Sequence, residues 1–151
     1  MAVDVLAGLL LLLTGALAGV LVAVEIAVVP MLADLPGERY VQVHRLLDPR
    51  FDPLMPTVDK IGLGVGLLLI WLAPGAQAKA AFGVAEAGLI GVALVSELSN
   101  VRINRFIDTW QVDRLPHTWA ETRARWARSN RGRTWIALAG FAAAIVGTHL
   151  V

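Results

Sequence analysis

A chain of 151 residues is enough for one domain. It is 57% hydrophobic and 17% charged, where soluble domains run at about 45–50% and 25%, so an ordinary water-facing surface is excluded. There is no cysteine, which removes disulfides, thiolate metal sites and cysteine nucleophiles. The net charge of +1 is small, and the Arg-rich stretch is short and flanked by apolar segments, so no nucleic-acid-binding face is expected. Eleven arginines against two lysines fit a GC-rich bacterial gene.

The composition predicts an all-α transmembrane four-helix bundle in a single domain, with spans at about residues 5–31, 57–73, 80–98 and 135–151. The first span is long enough to cross with tilt. From Val5 to Val24 only Thr14 is polar, and Asp4 stands where a signal peptide would carry basic residues, so a retained helix is expected rather than a cleaved leader. Next comes a short amphipathic stretch, Tyr40 to Asp48, that contains His44. Pro49, Pro53 and Pro56 follow and predict an extended segment folding back over the mouth of the bundle. The second span is weaker: its apolar run, Ile61 to Ala73, reaches spanning length by including Thr57, Val58, Asp59 and Lys60. Pro74-Gly75 marks a tight turn.

The third span holds Glu86 and Glu97, and Asn100 and Asn104 come after it. At 100° per residue these four fall on one helical stripe. Trp119, Arg123, Trp126, Asn130 and Arg133 recur at helical spacing behind Pro116. They predict an amphipathic interfacial helix over residues 117–133 that continues into the fourth span. Gly15 with Gly19, and Gly62 with Gly66, form small-xxx-small pairs for close helix packing, within the bundle or in a homo-oligomer.

Eleven arginines and Lys60 lie in or beside the two long loops, and Lys79 alone lies in the short one. The positive-inside rule therefore puts both long loops in the cytoplasm and both termini outside, in a multi-pass plasma-membrane protein.

Ionisable groups inside a span are expensive, about 2.5–3.5 kcal/mol on insertion scales, and point to function. Glu25 in span one, Asp59 opening span two and Glu97 in span three all lie toward the cytoplasmic face, with His44 and Asn100 at the same level. A site is expected there. Glu97 also has a structural alternative, an ion pair with Arg102 or Arg133.

The run Glu97-Leu98-Ser99-Asn100-Val101-Arg102-Ile103-Asn104, and some twenty residues later Trp126-Ala127-Arg128-Ser129-Asn130-Arg131-Gly132-Arg133-Thr134, resemble motifs of a family of small four-span membrane proteins. That family includes the anthrone oxygenases of polyketide pathways, although most members have no assigned function. Its members usually read Asn-Val-Pro-Ile-Asn at the first place; here Arg102 replaces the proline. The second place carries a Trp, then Asn or His, then Arg-Thr. The stretch from His44 through Pro56 is similar to the bacterial branch.

The resemblance implies an oxygenase or oxidase that uses O₂ on a lipophilic, anthrone-like or phenolic small molecule. Such a substrate has an acidic C–H. Glu25 or His44 would be the base, and Glu97 joins them as a catalytic candidate. Asn100, Asn104 and Asn130 would donate to the developing phenolate, Arg133 would add positive charge, and Trp126 would stack on the rings. Either no cofactor is needed, or Glu25, His44, Asp59 and Glu97 bind a non-haem iron, manganese or copper ion. The competing expectation is a non-enzymatic scaffold, accessory subunit, or small-molecule binding or transport protein, whose buried carboxylates are interhelical struts.

Overall fold

The structure is a computed structural model that describes residues 1–51 and 54–151. Its described residues form helices joined by short turns, with one isolated bridge between Gln111 and Arg114. The first rod is α1 (Ala2–Ala23), a π-helical turn (Val24–Val28) and α2 (Val29–Asp34). Next come α3 (Gly37–Phe51) and α4 (Leu54–Leu72). A second composite rod follows: α5 (Gly75–Val95), a second π-turn (Ser96–Asn100) and α6 (Val101–Asp108). The last helix, α7, runs unbroken from Trp119 to His149.

Local sequence explains most of these boundaries. Pro30 has no N–H and crowds the preceding turn. It sits just behind the first π-turn, whose wider winding relieves that crowding. Gly75 has φ of +74°, a left-handed conformation open to glycine at no steric cost, and it reverses the chain between α4 and α5. The prolines expected to hold an extended segment do otherwise. Pro49 lies inside the last turn of α3, and Pro56 lies in the first turn of α4, where its missing N–H had no intrahelical partner to lose. Pro53 lies outside the described residues.

The four long helices pack as a ring, with α1 and α5 each contacting both α4 and α7. The core runs along their inner faces and includes Leu10, Leu17, Leu69, Phe82 and Leu89. Backbones come closest between α5 and α7, where a Cβ on Gly88 would stand 2.8 Å from the Gly140 Cα. The glycines read from spacing contribute unevenly. Gly62 takes Leu89 and Gly66 takes the Glu86 carboxylate, whereas Gly15 meets only the Phe141 ring and Gly19 nothing.

A second core sits at one end of the ring, where Tyr40 and Val41 of α3 pack on Ile103, Ile107, Trp110 and Trp126. Two arginines staple this end. Arg123 donates to the carbonyls of Leu32 and Leu35 at 3.1 and 2.9 Å, closing the end of α2. Arg45 donates to the carbonyls of Ile107 and Asp108 at 3.2 and 2.8 Å, closing the end of α6. Exposed helix C-termini leave carbonyls unpaired and carry partial negative charge, which a guanidinium satisfies on both counts.

The outside of the ring is apolar: Leu12, Leu67, Trp71, Val84, Leu94 and Trp135 are each more than half exposed. A surface of that kind needs lipid around it. Three segments, Ala2–Asp34, Gly37–Leu72 and Gly75–Asp108, are long and apolar enough to cross a membrane. In the second, the apolar residues belong to α4, and α3 is polar. Helix α7 is long enough but shares its length between an Arg-rich half and an apolar one beginning at Trp135.

Candidate functional site

A cavity of about 300 Å³ opens between α1, α4 and α5 and is roofed by α3. Its inner walls are aliphatic: Leu17, Val20, Leu21 and Val24 from the first rod, Leu63 from α4 and Val92 from α5. Under the roof the lining turns polar, with His44 and Asp48 from α3, Asp59 and Lys60 from α4, and Ser96, Glu97, Asn100 and Asn104 from the second composite rod. Trp126 and Arg133 reach in from α7. Apolar walls with a few convergent polar groups are the usual makeup of a small-molecule site.

Both π-turns lie at this level, since neighbouring residues of α7 contact one each. Ser129 donates to Asn100 Oδ1 at 2.7 Å, and Asn130 donates to Glu25 Oε2 at 2.8 Å. A π-turn holds one residue more than an α-turn and is frequent at functional sites.

Seven of the residues predicted from sequence line this cavity: His44, Asp59, Glu97, Asn100, Asn104, Trp126 and Arg133. Glu25 and Asn130 do not. Glu25 faces α7, where Arg131 Nε donates to its Oε1 at 2.8 Å and Asn130 to its other oxygen. The expectation that Glu25 acts as base or metal ligand in the same site is therefore corrected: its carboxylate is a strut between the first rod and α7. Asn130 links that strut to the cavity wall, because its Oδ1 accepts from Arg133 at 3.0 Å, and Arg133 in turn donates to Ser96 Oγ at 3.3 Å.

The proposed metal set fails on geometry. Among the described residues no group of three or more His, Asp or Glu side chains stands close enough to hold one ion. Glu25 points away, and Glu97, though it lines the cavity, is solvent-exposed. Neither Arg102 nor Arg133 forms an ion pair with Glu97 among the described residues.

The polar groups of the roof are largely committed to one another. Asn104 donates to Asp48 and accepts from Trp126 Nε1 at 3.0 Å. The edge of Trp126 meets the His44 ring with centroids 5.5 Å apart, and Tyr40 flanks His44 on its other side at the same separation. Three polar atoms of the lining residues are left over: His44 Nδ1, Asp59 Oδ1 and Asn100 Nδ2 are buried and have no hydrogen-bond partner. Burial pushes the His44 imidazole down to about 4, although Asp108 opposes the shift. The ring is thus neutral at pH 7, a competent proton acceptor. A buried polar atom without a partner is costly unless something supplies one, and here these atoms belong to residues that line a ligand-sized space.

Several participants were missed in the sequence. Asp48 stands one helical turn after His44 and was legible on that spacing. Ser129 and Ser96 act only through the π-turn, which no sequence pattern announced. Glu86, by contrast, is on the stripe read from the sequence. It is 5% exposed and rests against Gly66 with Oε2 unpaired, below the cavity and outside its lining.

Comparison with protein-family profiles, curated proteins and solved structures returns no match to the chain. The likeness to anthrone oxygenases accordingly stands on sequence motifs alone, and the two sharpest of them supply Glu97, Asn100, Asn104, Trp126 and Arg133 to the cavity lining.

Proposed function

We propose that the chain is a membrane-embedded oxygenase that binds a lipophilic, anthrone-like aromatic in the cavity beneath α3 and oxidises an acidic CH₂ of it with O₂. The observation that carries this reading is that two of the residues lining one pocket, His44 and Asn100, keep an unpartnered acceptor and donor, Nδ1 and Nδ2, at the polar end of its aliphatic walls. An acceptor and a donor are what the step needs. His44 takes a proton from the CH₂, and the electron pair left behind delocalises onto the ring oxygen, where the Asn100 amide donates. A weakly basic imidazole suffices because anion and imidazolium form as a pair inside the pocket, where their attraction offsets the burial that lowered its basicity. The carbanion adds to O₂, His44 returns its proton to the peroxide, and loss of water leaves a ketone. The balance is R₂CH₂ + O₂ → R₂C=O + H₂O, with no other reductant.

In this reading the ring is a four-span bundle in the plasma membrane, with the apolar half of α7 (residues 135–151) as the fourth span and both termini outside. The arginines of the two long loops support it.

The test is oxygen uptake by the purified protein in lipid nanodiscs with 1,8-dihydroxyanthrone as probe. His44→Ala and Asn100→Ala should each lower kcat by about 10²–10³-fold, and Glu25→Gln should lower thermal stability while kcat stays within about threefold, as expected for a strut outside the pocket. Full turnover in both pocket variants would refute the assignment. The second reading, a non-catalytic binding protein for the same kind of molecule, is favoured by the extent to which the roof's polar groups are tied to each other. It predicts saturable binding of the probe with no oxygen uptake.

A further inference from the structure

The cavity lining contains residues that are exposed. Pro56 and Lys60 on α4 and Glu97 on the second π-turn all face outward as well as in. They stand on the two sides of the α4–α5 seam. Further along that seam the helices close up, where Leu89 fills the space over Gly62 and Glu86 presses on Gly66. The seam is therefore shut through the middle of the bundle and parts at the level of the cavity.

What lies outside this opening is apolar. Leu54 and Ile61 flank it on α4 at 58% and 48% exposure, and Leu94 and Leu98 on the other side at 53% and 58%. An opening bordered by exposed aliphatic side chains on spanning helices faces acyl chains, with the charges of Lys60 and Glu97 at headgroup depth. The charge of the lining is also informative. Asp48, Asp59 and Glu97 outnumber Lys60 and Arg133 by one, so no positive excess awaits an anionic head group, and Arg133 is already engaged by Asn130 and Ser96. The unpartnered positions on the lining residues, His44 Nδ1, Asp59 Oδ1 and Asn100 Nδ2, are those a hydroxyl or carbonyl would fill.

We propose that the site is loaded sideways from the bilayer, through a portal in the α4–α5 seam between Lys60 and Glu97, by a neutral molecule with a hydroxyl or carbonyl head and an apolar body. The head comes to rest under α3, and the body lies along Leu17, Val20, Leu21 and Val92. This deepens the reading of the same cavity given above, but it concerns access and ligand class and does not depend on oxidation.

The test uses tryptophan fluorescence in vesicles of phosphatidylcholine brominated on its acyl chains. Trp126 lines the cavity at 9% exposure, so a closed bundle shields it from bromine. A chain with Trp71, Trp110, Trp119 and Trp135 changed to Phe leaves Trp126 as the sole reporter, with circular dichroism confirming the helices. An open portal admits acyl chains, so Trp126 emission should fall on the order of twofold, and Ala93→Phe, which fills the portal beside Val92 and Ser96, should restore it. Adding 2-naphthol should also restore it, whereas 2-naphthoate should compete about tenfold more weakly because its carboxylate would be buried unpaired. If the fourfold replacement disturbs the fold, the comparison is made in the native chain with and without Ala93→Phe, over the constant quenching of exposed Trp71 and Trp135. Unquenched Trp126, or quenching that Ala93→Phe leaves unchanged, overturns the portal. Naphthoate competing as well as naphthol overturns the neutral ligand class. Because the readout is binding, a chain that consumes no oxygen can still pass, and a working oxygenase can still fail.

Discussion

His44 shows how a residue that looks unremarkable in sequence acquires properties from its neighbours. It is 3% exposed, packed between Tyr40 and Trp126, and held neutral by burial. A folded pKa near 4 against about 6.5 in the unfolded chain means that between those values the unfolded state binds a proton the folded state refuses. Stability should therefore fall as pH drops from 6.5 toward 4, by up to about 3 kcal/mol, and level off below that. Thermal unfolding in detergent across this range checks it: the wild type should lose stability on acidification, and His44→Asn should lose much less. Asn100 is the complementary case. Its carbonyl oxygen is fixed by Ser129 and its amide is free, so Ser129→Ala should weaken ligand binding by about threefold to tenfold by loosening that amide, with little effect on folding. The sequence made the choice of His44, Asp59, Asn100, Asn104, Trp126 and Arg133 legible, since polar groups in apolar helices have few other reasons to be there. It did not reveal direction. Glu25 satisfied every criterion by depth and faces the other way.

At the scale of elements, a further misreading has its cause in the second π-turn. The stripe joining Glu86, Glu97, Asn100 and Asn104 assumed 100° per residue throughout. The structure winds Ser96–Asn100 more slowly, which leaves Glu97 exposed and Asn100 buried. The amphipathic helix before the last span was legible from its Trp and Arg spacing, and it begins at Trp119, two residues later than expected. The α5–α7 crossing was not read at all, because Gly88 and Gly140 lie in different helices and form no local motif. It gives a clear prediction. Gly88→Ala should destabilise the fold by about 1–3 kcal/mol, since the new methyl meets backbone that cannot move aside. Gly83→Ala, which meets nothing within 4 Å, should be neutral or stabilise by up to about 1 kcal/mol. Chemical unfolding of the two variants side by side separates packing from propensity.

For the molecule as a whole, composition alone made the membrane legible, and the ring of helices with an apolar exterior agrees with it. The sidedness proposed from the arginines can be measured directly, because the chain has no cysteine of its own. Arg114→Cys should react with an impermeant maleimide only in inverted vesicles, and Gln77→Cys only in intact cells. The two π-turns, set level with each other on opposite walls of the pocket, also carry a meaning in the language of genes. Each holds one residue beyond what a plain helix would use, and one residue is one codon. The pocket can accordingly be regarded as two single-codon insertions into a bundle of straight, fully packed helices. Deleting Ser99 should return that wall to regular winding, and the product should still insert and fold but no longer hold 2-naphthol. A bundle that closes so simply is also one in which such a site could have opened in two small mutational steps.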